Sequence, residues 1–121
     1  MKRIYGIGLD VEDVAPFRMV LKNGSIVKKI YTDKELGYCK SRPSPELHLA
    51  ARFAGKVAIL KALGPKHRNI TLGEIEIRNR KDGAPFIDIK KRSLKKDFSC
   101  LISLSHSNTR ALAFSVITDR G

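Results

Sequence analysis

The sequence has no tryptophan, only two cysteines and few aromatic residues, which make up 7% of its 121 positions. Cys39 and Cys100 lie 61 positions apart and outside any CxxC spacing, which favours two reduced thiols over a disulfide or a zinc site. No apolar run approaches the roughly 20 residues that a membrane helix needs. The short apolar stretch at 4–9 also does not resemble a signal peptide. We therefore expect a cytoplasmic protein that is not bound to a membrane.

Acidic residues are scarce as well, with 12 Asp and Glu against 24 Lys and Arg, which gives a formal net charge of +12. Such an excess favours a polyanionic partner: a nucleic acid, an anionic membrane, a phosphorylated small molecule or an acidic protein. Five cations fall within the seven residues 90–96, which form either a solvated loop or part of a binding surface. Because the chain lacks tryptophan and any basic–aromatic motif, the sequence argues against a nucleic-acid partner.

The first half of the chain carries mostly helix signals. A predicted strand at 3–9 precedes a predicted helix of about three turns over 11–24. A capping box over 32–35 predicts a short helix that ends near Lys40. The central helix, within 44–64, has the clearest signals, because a Ser-Pro-Glu sequence opens it and a Gly-Pro sequence closes it.

The second half of the chain favours strands. Isoleucines alternate with charged residues as on a half-buried strand, and Asp82-Gly83 predicts a hairpin turn. The predicted strands lie, in chain order, at 72–79, 85–90, 99–105 and 110–118. Early helices and late antiparallel strands predict an α+β fold, with one long central helix packed on an antiparallel sheet. The length and an apolar content of 42% fit a single domain over residues 1–121.

A cluster of carboxylates stands at the end of the first predicted strand. Asp10, Glu12 and Asp13 lie within four residues of a very basic chain, and a strand end is a usual place for a functional site. The same acids would also favour the N-terminus of a following helix through its dipole. On the central helix, Val57 and Lys61 are four residues apart and share a face. Taken alone, Lys61 indicates a lysine that lays its stem along the core and reaches water.

Hydroxyl groups surround a histidine in the stretch 103–107, at the end of another predicted strand. Ser105 and His106 suggest nucleophilic catalysis, but neighbouring residues on a strand point to opposite faces. No GxSxG motif surrounds them, which argues against a hydrolase triad. They are therefore either polar caps of a hairpin turn or hydrogen-bond donors to a phosphate or ribose.

These stretches occur together in the holo-acyl-carrier-protein synthases, the short phosphopantetheinyl transferases, and the chain resembles that family along nearly its whole length. The matching segments are YGIGLDVED, KIYTDKEL, AARFAGKVAILKALG, EIEIRNRKDGAPFI and ISLSHSNTRALAFSVI. The resemblance implies an α+β homotrimer with active sites between subunits. It also implies Mg²⁺-dependent transfer of the 4′-phosphopantetheine arm of coenzyme A to a serine of an apo-acyl carrier protein, with adenosine 3′,5′-bisphosphate as the other product.

The resemblance further implies roles for individual residues. Asp10 corresponds to the family's first metal ligand and Lys61 to its phosphate-binding lysine, so both are predicted catalytic residues. The residues predicted to bind coenzyme A are Arg52, Lys56, Lys61, Ser105 and His106. A carrier protein is acidic, so it matches the net charge of +12.

The sequence departs from the family at one metal ligand. The family's helix motif is KEA, whose glutamate is the second ligand, whereas this chain has Lys56-Val57-Ala58. Valine offers no oxygen to a hard cation. However, Asp10-Val11-Glu12 resembles the DxE of the larger, surfactin-type transferases, so Asp10 and Glu12 are the predicted metal ligands. The alternative is a protein that binds coenzyme A or a carrier with weakened or lost turnover, and the sequence does not decide whether Val57 is natural or engineered.

A second departure concerns the carrier. Pro16 stands where the family has a carrier-docking arginine, and Arg18 lies two residues later. The sequence leaves open whether Arg18 replaces that arginine. It also leaves open which carrier is served, whether of fatty acid biosynthesis, polyketide biosynthesis or another pathway.

Overall fold

The computed structural model describes residues 2–91, 94 and 97–120. Its helices and strands, in chain order, are β1 Arg3–Asp13, α1 Gly24–Ile30, α2 Asp33–Lys40, α3 Pro45–Leu63, β2 Ile75–Asn79, β3 Pro85–Ile89, β4 Ser99–His106 and β5 Arg110–Asp119. Short 3₁₀ turns lie at Ala15–Arg18, Val20–Lys22, Pro65–His67 and Leu72–Glu74. The predicted α+β class is confirmed. Of the basic run 90–96, residues 92, 93, 95 and 96 lie outside the described residues.

Helix α3 packs across an antiparallel sheet in which β5 is central, with β1 on one side and β4 on the other. β2 and β3 form a separate hairpin. Gly6 and Gly8 permit the close approach of β1 to α3, because a Cβ at either position would overlap the carbonyl oxygen of Ala62 or Ala58. Ser115 on β5 donates a hydrogen bond to the same Ala58 carbonyl at 2.9 Å. The glycines of the first strand are therefore packing residues.

Substitution of Gly8 by alanine should destabilise the fold strongly. The added methyl group would meet backbone of α3, which cannot rotate away as a side chain can, so the expected loss is about 3 kcal/mol or more in the free energy of unfolding. Gly37→Ala is the matched control, because Gly37 lies in α2 with open space around it. That change should stabilise by about 0.5–1 kcal/mol. Chemical denaturation measures both, and equal effects would contradict the assignment of Gly8 to packing.

The predicted helix over 11–24 is wrong. β1 continues to Asp13, since the whole segment pairs in register with β5. Beyond it, the amide of Val14 donates to the carbonyl of Thr109 at 2.9 Å. Pairing with a strand almost 100 residues away thus overrides the local helix signal. The structure instead has two 3₁₀ turns in this region and places a helix, which was not predicted, from Gly24 onward.

The capping predictions had different outcomes. The capping box at the start of α2 is confirmed: the Thr32 hydroxyl accepts from the Glu35 amide at 3.3 Å, and the Glu35 carboxylate accepts from the Thr32 amide at 2.9 Å. The bounds of α3 also agree with prediction. The predicted side-chain cap from Ser44 is wrong, because this residue has φ 53° and ψ 67° instead of the extended conformation of a capping residue, and its side chain makes no capping hydrogen bond.

The predicted strand pairs are confirmed, with a turn near Gly83 between β2 and β3 and a second hairpin between β4 and β5. The expectation that β2 is half-buried is wrong. Ile75 and Ile77 are 0% exposed, and Glu76 between them is only 1% exposed. Glu76 can be buried because it accepts a hydrogen bond from Thr32 and lies in ion pairs with two cations, Arg78 and Lys90.

The three-stranded sheet leaves one apolar face uncovered. This outer sheet face carries side chains that are 41–66% exposed: Ile7, Leu9, Val11, Leu101, Leu112 and Phe114. The strand register places Leu9 opposite Phe114 and Val11 opposite Leu112, so the apolar groups are contiguous across strands. A contiguous exposed apolar patch of this kind marks an interaction surface.

Two sequence expectations concern thiols and membranes. Cys39 is buried and Cys100 half-buried, and both are free thiols. Across residues 2–91, 94 and 97–120, no helix has the length and apolar character to cross a membrane.

Candidate active site

The end of β1 carries two carboxylates beside a lysine from α3. Asp10 and Glu12 are two residues apart on the strand, so both point toward the face on which α3 packs. The Lys61 ammonium donates to Asp10 Oδ1 at 3.3 Å and to the carbonyl oxygen of Leu9 at 2.9 Å. The Asp10 side chain is 10% exposed and that of Lys61 is 54% exposed, so the group is open to ligands from the lysine side. The structure thus brings together three of the predicted site residues.

Asp10 influences the ionisation of Glu12. Burial first, and then the hydrogen bond and negative charge of Asp10, raise the pKa of Glu12 to about 7, although Lys61 opposes the shift. The Oδ2 atom of Asp10 is buried and has no hydrogen-bond donor among the described polar groups. A buried carboxylate oxygen that has no donor and lies beside a second carboxyl group is stabilised by a bound cation.

The carboxylate pair fits Mg²⁺, which commonly takes one or two protein carboxylates and completes six oxygens with phosphate and water. Within the part of the chain that the structure describes, no set of three His, Cys, Asp or Glu side chains is placed to hold a metal. Val57 lies one turn before Lys61 and lines an open groove of about 470 Å³ with Leu60, Lys61, Gly64, Pro65 and Arg68. The residues therefore fit a metal shared with a phosphate ligand better than one held by the protein alone.

Arg52 lies on the opposite side of α3 from Lys61. Nine positions separate them, which is roughly 900° of rotation and leaves the two side chains about half a turn apart. The Arg52 guanidinium donates to Asn79 Oδ1 and lies 4.3 Å from the centroid of the Tyr38 ring. Arg52 is only 3% exposed, and its Nε has no acceptor among the residues described.

A cationic pocket of about 310 Å³ opens beside Arg52. Its lining includes Lys34, Tyr38, Arg52, Arg78, Asn79 and Arg80. Arginine offers planar, fixed donors that match phosphate oxygens, and the four cations together favour an anion. We call this site the cationic pocket; its chemistry suits a phosphate group.

His106 lies on the same side of α3 as Arg52, whereas Ser105 does not. The His106 ring is 5.4 Å from the His48 ring, which is 5.7 Å from the ring of Tyr38. Burial, followed by the charges of His106 and Arg52, lowers the pKa of His48. Ser105 points to the outer sheet face, as expected for a neighbour of His106 on a strand. Within one chain, Ser105 is therefore separated from the other predicted coenzyme-binding residues.

Lys56 lies one turn from Arg52 on the same side of α3, but it is not among the described residues that line the cationic pocket. The structure does not support its predicted contact with coenzyme A. Its side chain is 0% exposed, and its ammonium pairs with Glu35 Oε1 at 2.7 Å. It also donates to the carbonyls of Leu72 and Ile75. Burial lowers the pKa of Lys56, while the Glu35 carboxylate opposes that shift. We therefore remove Lys56 from the coenzyme-binding set.

Sequence reasoning missed several residues of the cationic pocket. Tyr38 and Asn79 contact Arg52, and Arg78 and Arg80 line the same pocket. The available signal was the pair of basic residues beside the predicted hairpin turn. Neither the tyrosine nor the asparagine stands in a pattern that would have identified it.

Comparisons with known proteins are consistent across sequence and structure. The model of the 4′-phosphopantetheinyl transferase superfamily matches residues 6–116. A holo-[acyl-carrier-protein] synthase of Thermodesulfovibrio yellowstonii is 40% identical over 117 residues, covering 95% of this chain and 99% of that protein. One from Clostridium tetani is 34% identical over 120 residues, covering 94% and 95%. The crystal structure of a Bacillus anthracis holo-(acyl-carrier-protein) synthase in complex with CoA (3′,5′-ADP) has a TM-score of 0.79 at 27% identity, covering 96% of this chain and 97% of that chain.

Proposed function

Since the chain belongs to the holo-[acyl-carrier-protein] synthases of the 4′-phosphopantetheinyl transferase superfamily, we propose that it transfers the 4′-phosphopantetheine group of coenzyme A to a serine of an apo-acyl carrier protein. The other product is adenosine 3′,5′-bisphosphate. The structural observation that carries this proposal is the Asp10–Glu12 carboxylate pair beside Lys61. The similar synthase from Bacillus anthracis, whose crystal structure is a complex with CoA (3′,5′-ADP), supports coenzyme A as the donor.

The reaction explains why these residue types are needed. The serine hydroxyl loses its proton to solvent as its oxygen forms a bond to the β-phosphorus. The bond from that phosphorus to the bridging oxygen breaks, and adenosine 3′,5′-bisphosphate leaves with the electron pair. Negative charge grows on the phosphoryl and leaving oxygens, and the half-exposed ammonium of Lys61 stands ready to offset it. When Mg²⁺ is bound by Asp10 and Glu12, it supplies further positive charge to the phosphates. The nucleophile belongs to the carrier, so the enzyme needs none of its own.

The alternative of lost turnover receives no support from the comparisons, in which the relatives that cover nearly the whole chain are holo-[acyl-carrier-protein] synthases. Magnesium dependence remains our proposal, and it rests on Asp10 and Glu12. Because valine at position 57 offers no oxygen, Asp10 and Glu12 would be the carboxylates that hold Mg²⁺. Phosphate oxygens of coenzyme A and water would supply its remaining ligands.

The site residues form two groups, the carboxylate pair with Lys61 and the cationic pocket around Arg52. We infer from their separation that one active site needs two chains. Lys61 and Arg52 lie on opposite sides of α3, so one chain does not place both against one coenzyme molecule. We assign the pyrophosphate to the Asp10–Lys61 group and the nucleotide 3′-phosphate to the cationic pocket, which together with His106 comes from a neighbouring subunit. The outer sheet face, with its contiguous apolar side chains, provides the surface for a homotrimer.

Replacement of Phe114 by glutamate should dissociate the trimer and abolish coenzyme A binding. Phe114 is 42% exposed at the centre of the outer sheet face, and a buried carboxylate there would be unpaired. Ile26→Glu is the matched control, because Ile26 is 46% exposed on α1, away from that face. Light scattering at micromolar concentration reports the mass. A monomeric unsubstituted protein that binds coenzyme A normally would overturn the trimer.

The carrier is the second macromolecular partner. Arg18 is exposed at the end of the 3₁₀ turn Ala15–Arg18, next to Met19, which is 61% exposed. We propose that this turn docks the acidic carrier, with Arg18 in place of the family's arginine. A cytoplasmic acyl carrier protein of fatty acid biosynthesis is the carrier that we propose.

The direct test is incubation with apo-acyl carrier protein, coenzyme A and Mg²⁺, followed by mass spectrometry of the carrier. The carrier should gain the mass of one phosphopantetheine arm, and a chelator should suppress the gain. A carrier that keeps its mass while the protein still binds coenzyme A would instead support the binding-only alternative.

A further inference from the structure

Among the described residues, no strand pairs with the outer edge of β2 in the β2–β3 hairpin. β3 pairs with one edge of β2, and side chains from α2 and α3 satisfy the other. The Ile75 carbonyl accepts from the Lys56 ammonium, and the Ile77 amide donates to Glu35 Oε2 at 3.0 Å. Both isoleucines are 0% exposed, so unpaired backbone groups at these positions would be costly. Glu35 and Lys56 thus take the place of a third strand.

The ion pair that does this has no capacity left for a ligand. The three N–H groups of Lys56 reach Glu35 Oε1 at 2.7 Å, the Leu72 carbonyl at 2.9 Å and the Ile75 carbonyl. Both charged side chains are 0% exposed. An apolar pair of similar volume would often stabilise a fold equally well. What such an apolar pair could not supply is the hydrogen bonds that fix the position of β2.

The position of β2 matters because the same strand forms a wall of the cationic pocket. Arg78, Asn79 and Arg80 line this pocket opposite Arg52. Asn79 accepts from Arg52 and donates through Nδ2 to the Gly83 carbonyl at 3.0 Å, in the hairpin turn. A displacement of β2 along or away from α3 would therefore change the spacing between Arg52 and the two hairpin arginines.

We propose that Lys56 and Glu35 are positioning residues, which hold the β2–β3 hairpin against α3 and thereby set the enzyme's preference for coenzyme A over dephospho-coenzyme A. The two donors differ only in the 3′-phosphate, the group assigned to the cationic pocket. This inference rests on the proposed function, because that function identifies coenzyme A as the ligand. The pair acts through Arg52, Arg78 and Arg80 and touches no reacting atom.

The test compares the unsubstituted protein with the double variant Glu35→Gln/Lys56→Met. The double change leaves no unpaired buried charge, so it should fold where Lys56→Met alone could fail. It removes the donor to the Ile75 and Leu72 carbonyls, while a glutamine oxygen can still accept from the Ile77 amide. We expect the KM and Kd for coenzyme A to rise about tenfold with kcat within about twofold, as for loss of uniform binding. The values for dephospho-coenzyme A should change less than about twofold.

Ser115→Ala is the control for lost stability. It removes a buried hydrogen bond to α3 on the side that faces the sheet, far from the hairpin edge. The melting temperature should fall, while the ratio of the two Kd values should remain that of the unsubstituted protein. This comparison shows whether a changed preference between the two donors comes from a displaced cationic pocket or from a general loss of stability.

Calorimetry measures the binding of each donor without the transfer reaction, so it tests the inference separately from the proposed activity. An unsubstituted protein that binds both donors equally would overturn the inference, and so would a double variant that keeps the original preference despite a lower melting temperature. Absence of carrier modification, with the preference in binding intact and lost in the double variant, would overturn the transferase activity and support the positioning role.

Discussion

Alanine at position 61 should reduce the rate of transfer to the carrier far more than it reduces the stability of the fold. The Lys61 ammonium contacts Asp10 at 3.3 Å and is 54% exposed, so the ion pair contributes little to folding. Its proposed role is to offset charge that develops on the phosphates. Loss of a group of this kind costs about 2–4 kcal/mol in the transition state, by analogy with the loss of an oxyanion donor. We therefore expect kcat to fall by about 30-fold to 1,000-fold.

Lys66→Ala is the matched control for this experiment. Lys66 is an exposed cation in the 3₁₀ turn Pro65–His67 just after α3, so its removal changes the net charge by the same amount. Steady-state transfer kinetics and thermal unfolding should be measured on both variants. If Lys61→Ala lowers activity only in proportion to its melting temperature, or if Lys66→Ala is equally inactive, the ammonium of Lys61 has no special role toward the phosphates.

Glutamate at position 57 should raise both magnesium affinity and activity. Val57 lies one turn before Lys61, and it offers no oxygen where the family motif has a carboxylate. The unsubstituted protein has Asp10 and Glu12 as ligands, so Mg²⁺ should bind weakly or not at all without coenzyme A and substantially with it. A third carboxylate should raise the affinity of the free protein about tenfold or more, equivalent to at least about 1.4 kcal/mol.

The same ligand arithmetic predicts how Glu12 behaves in the two backgrounds. Glu12→Ala should harm the unsubstituted protein more than the Val57→Glu variant, since the variant keeps two carboxylates. Val57→Gln is the control, because it has nearly the size of glutamate without the charge. Calorimetric titration of Mg²⁺ with and without coenzyme A measures the set. Tight binding to the free protein, unchanged by Val57→Glu, would show that the metal lies elsewhere.

The residues that were predictable from sequence are those whose signal is local. The capping box of α2 and the Gly-Pro end of α3 involve neighbours in the chain, and the turn at Asp82-Gly83 sets the hairpin between β2 and β3. The family resemblance supplied Asp10 and Lys61 as site residues, and the structure places them in contact.

The sequence predictions failed at residues whose burial or secondary structure depends on contacts with segments distant in the sequence. Helix periodicity shows that Arg52 and Lys56, four residues apart, share one side of α3 and that Lys61 points away from Arg52. It does not show what lies on each side. Lys56 is buried because Glu35 arrives from α2, and Arg52 is nearly buried because Asn79 arrives from β2. The extension of β1 depends likewise on β5, which the chain reaches almost 100 residues later. Such contacts have no signal in the local sequence.

The place of β5 at the centre of the sheet has a consequence for how the chain folds. β1 and β5 pair from Arg3 with Asp119 to Asp13 with Arg110, so the two strands most distant in sequence are neighbours in the sheet. Pairing over such a separation requires closure of nearly the whole chain and is slow compared with local helix formation. During synthesis on the ribosome, β1 emerges before the other strands. It has no strand partner until β5 emerges, so Ile7, Leu9 and Val11 remain exposed. This strand is therefore the segment of the nascent chain that most needs protection from aggregation until β5 has emerged.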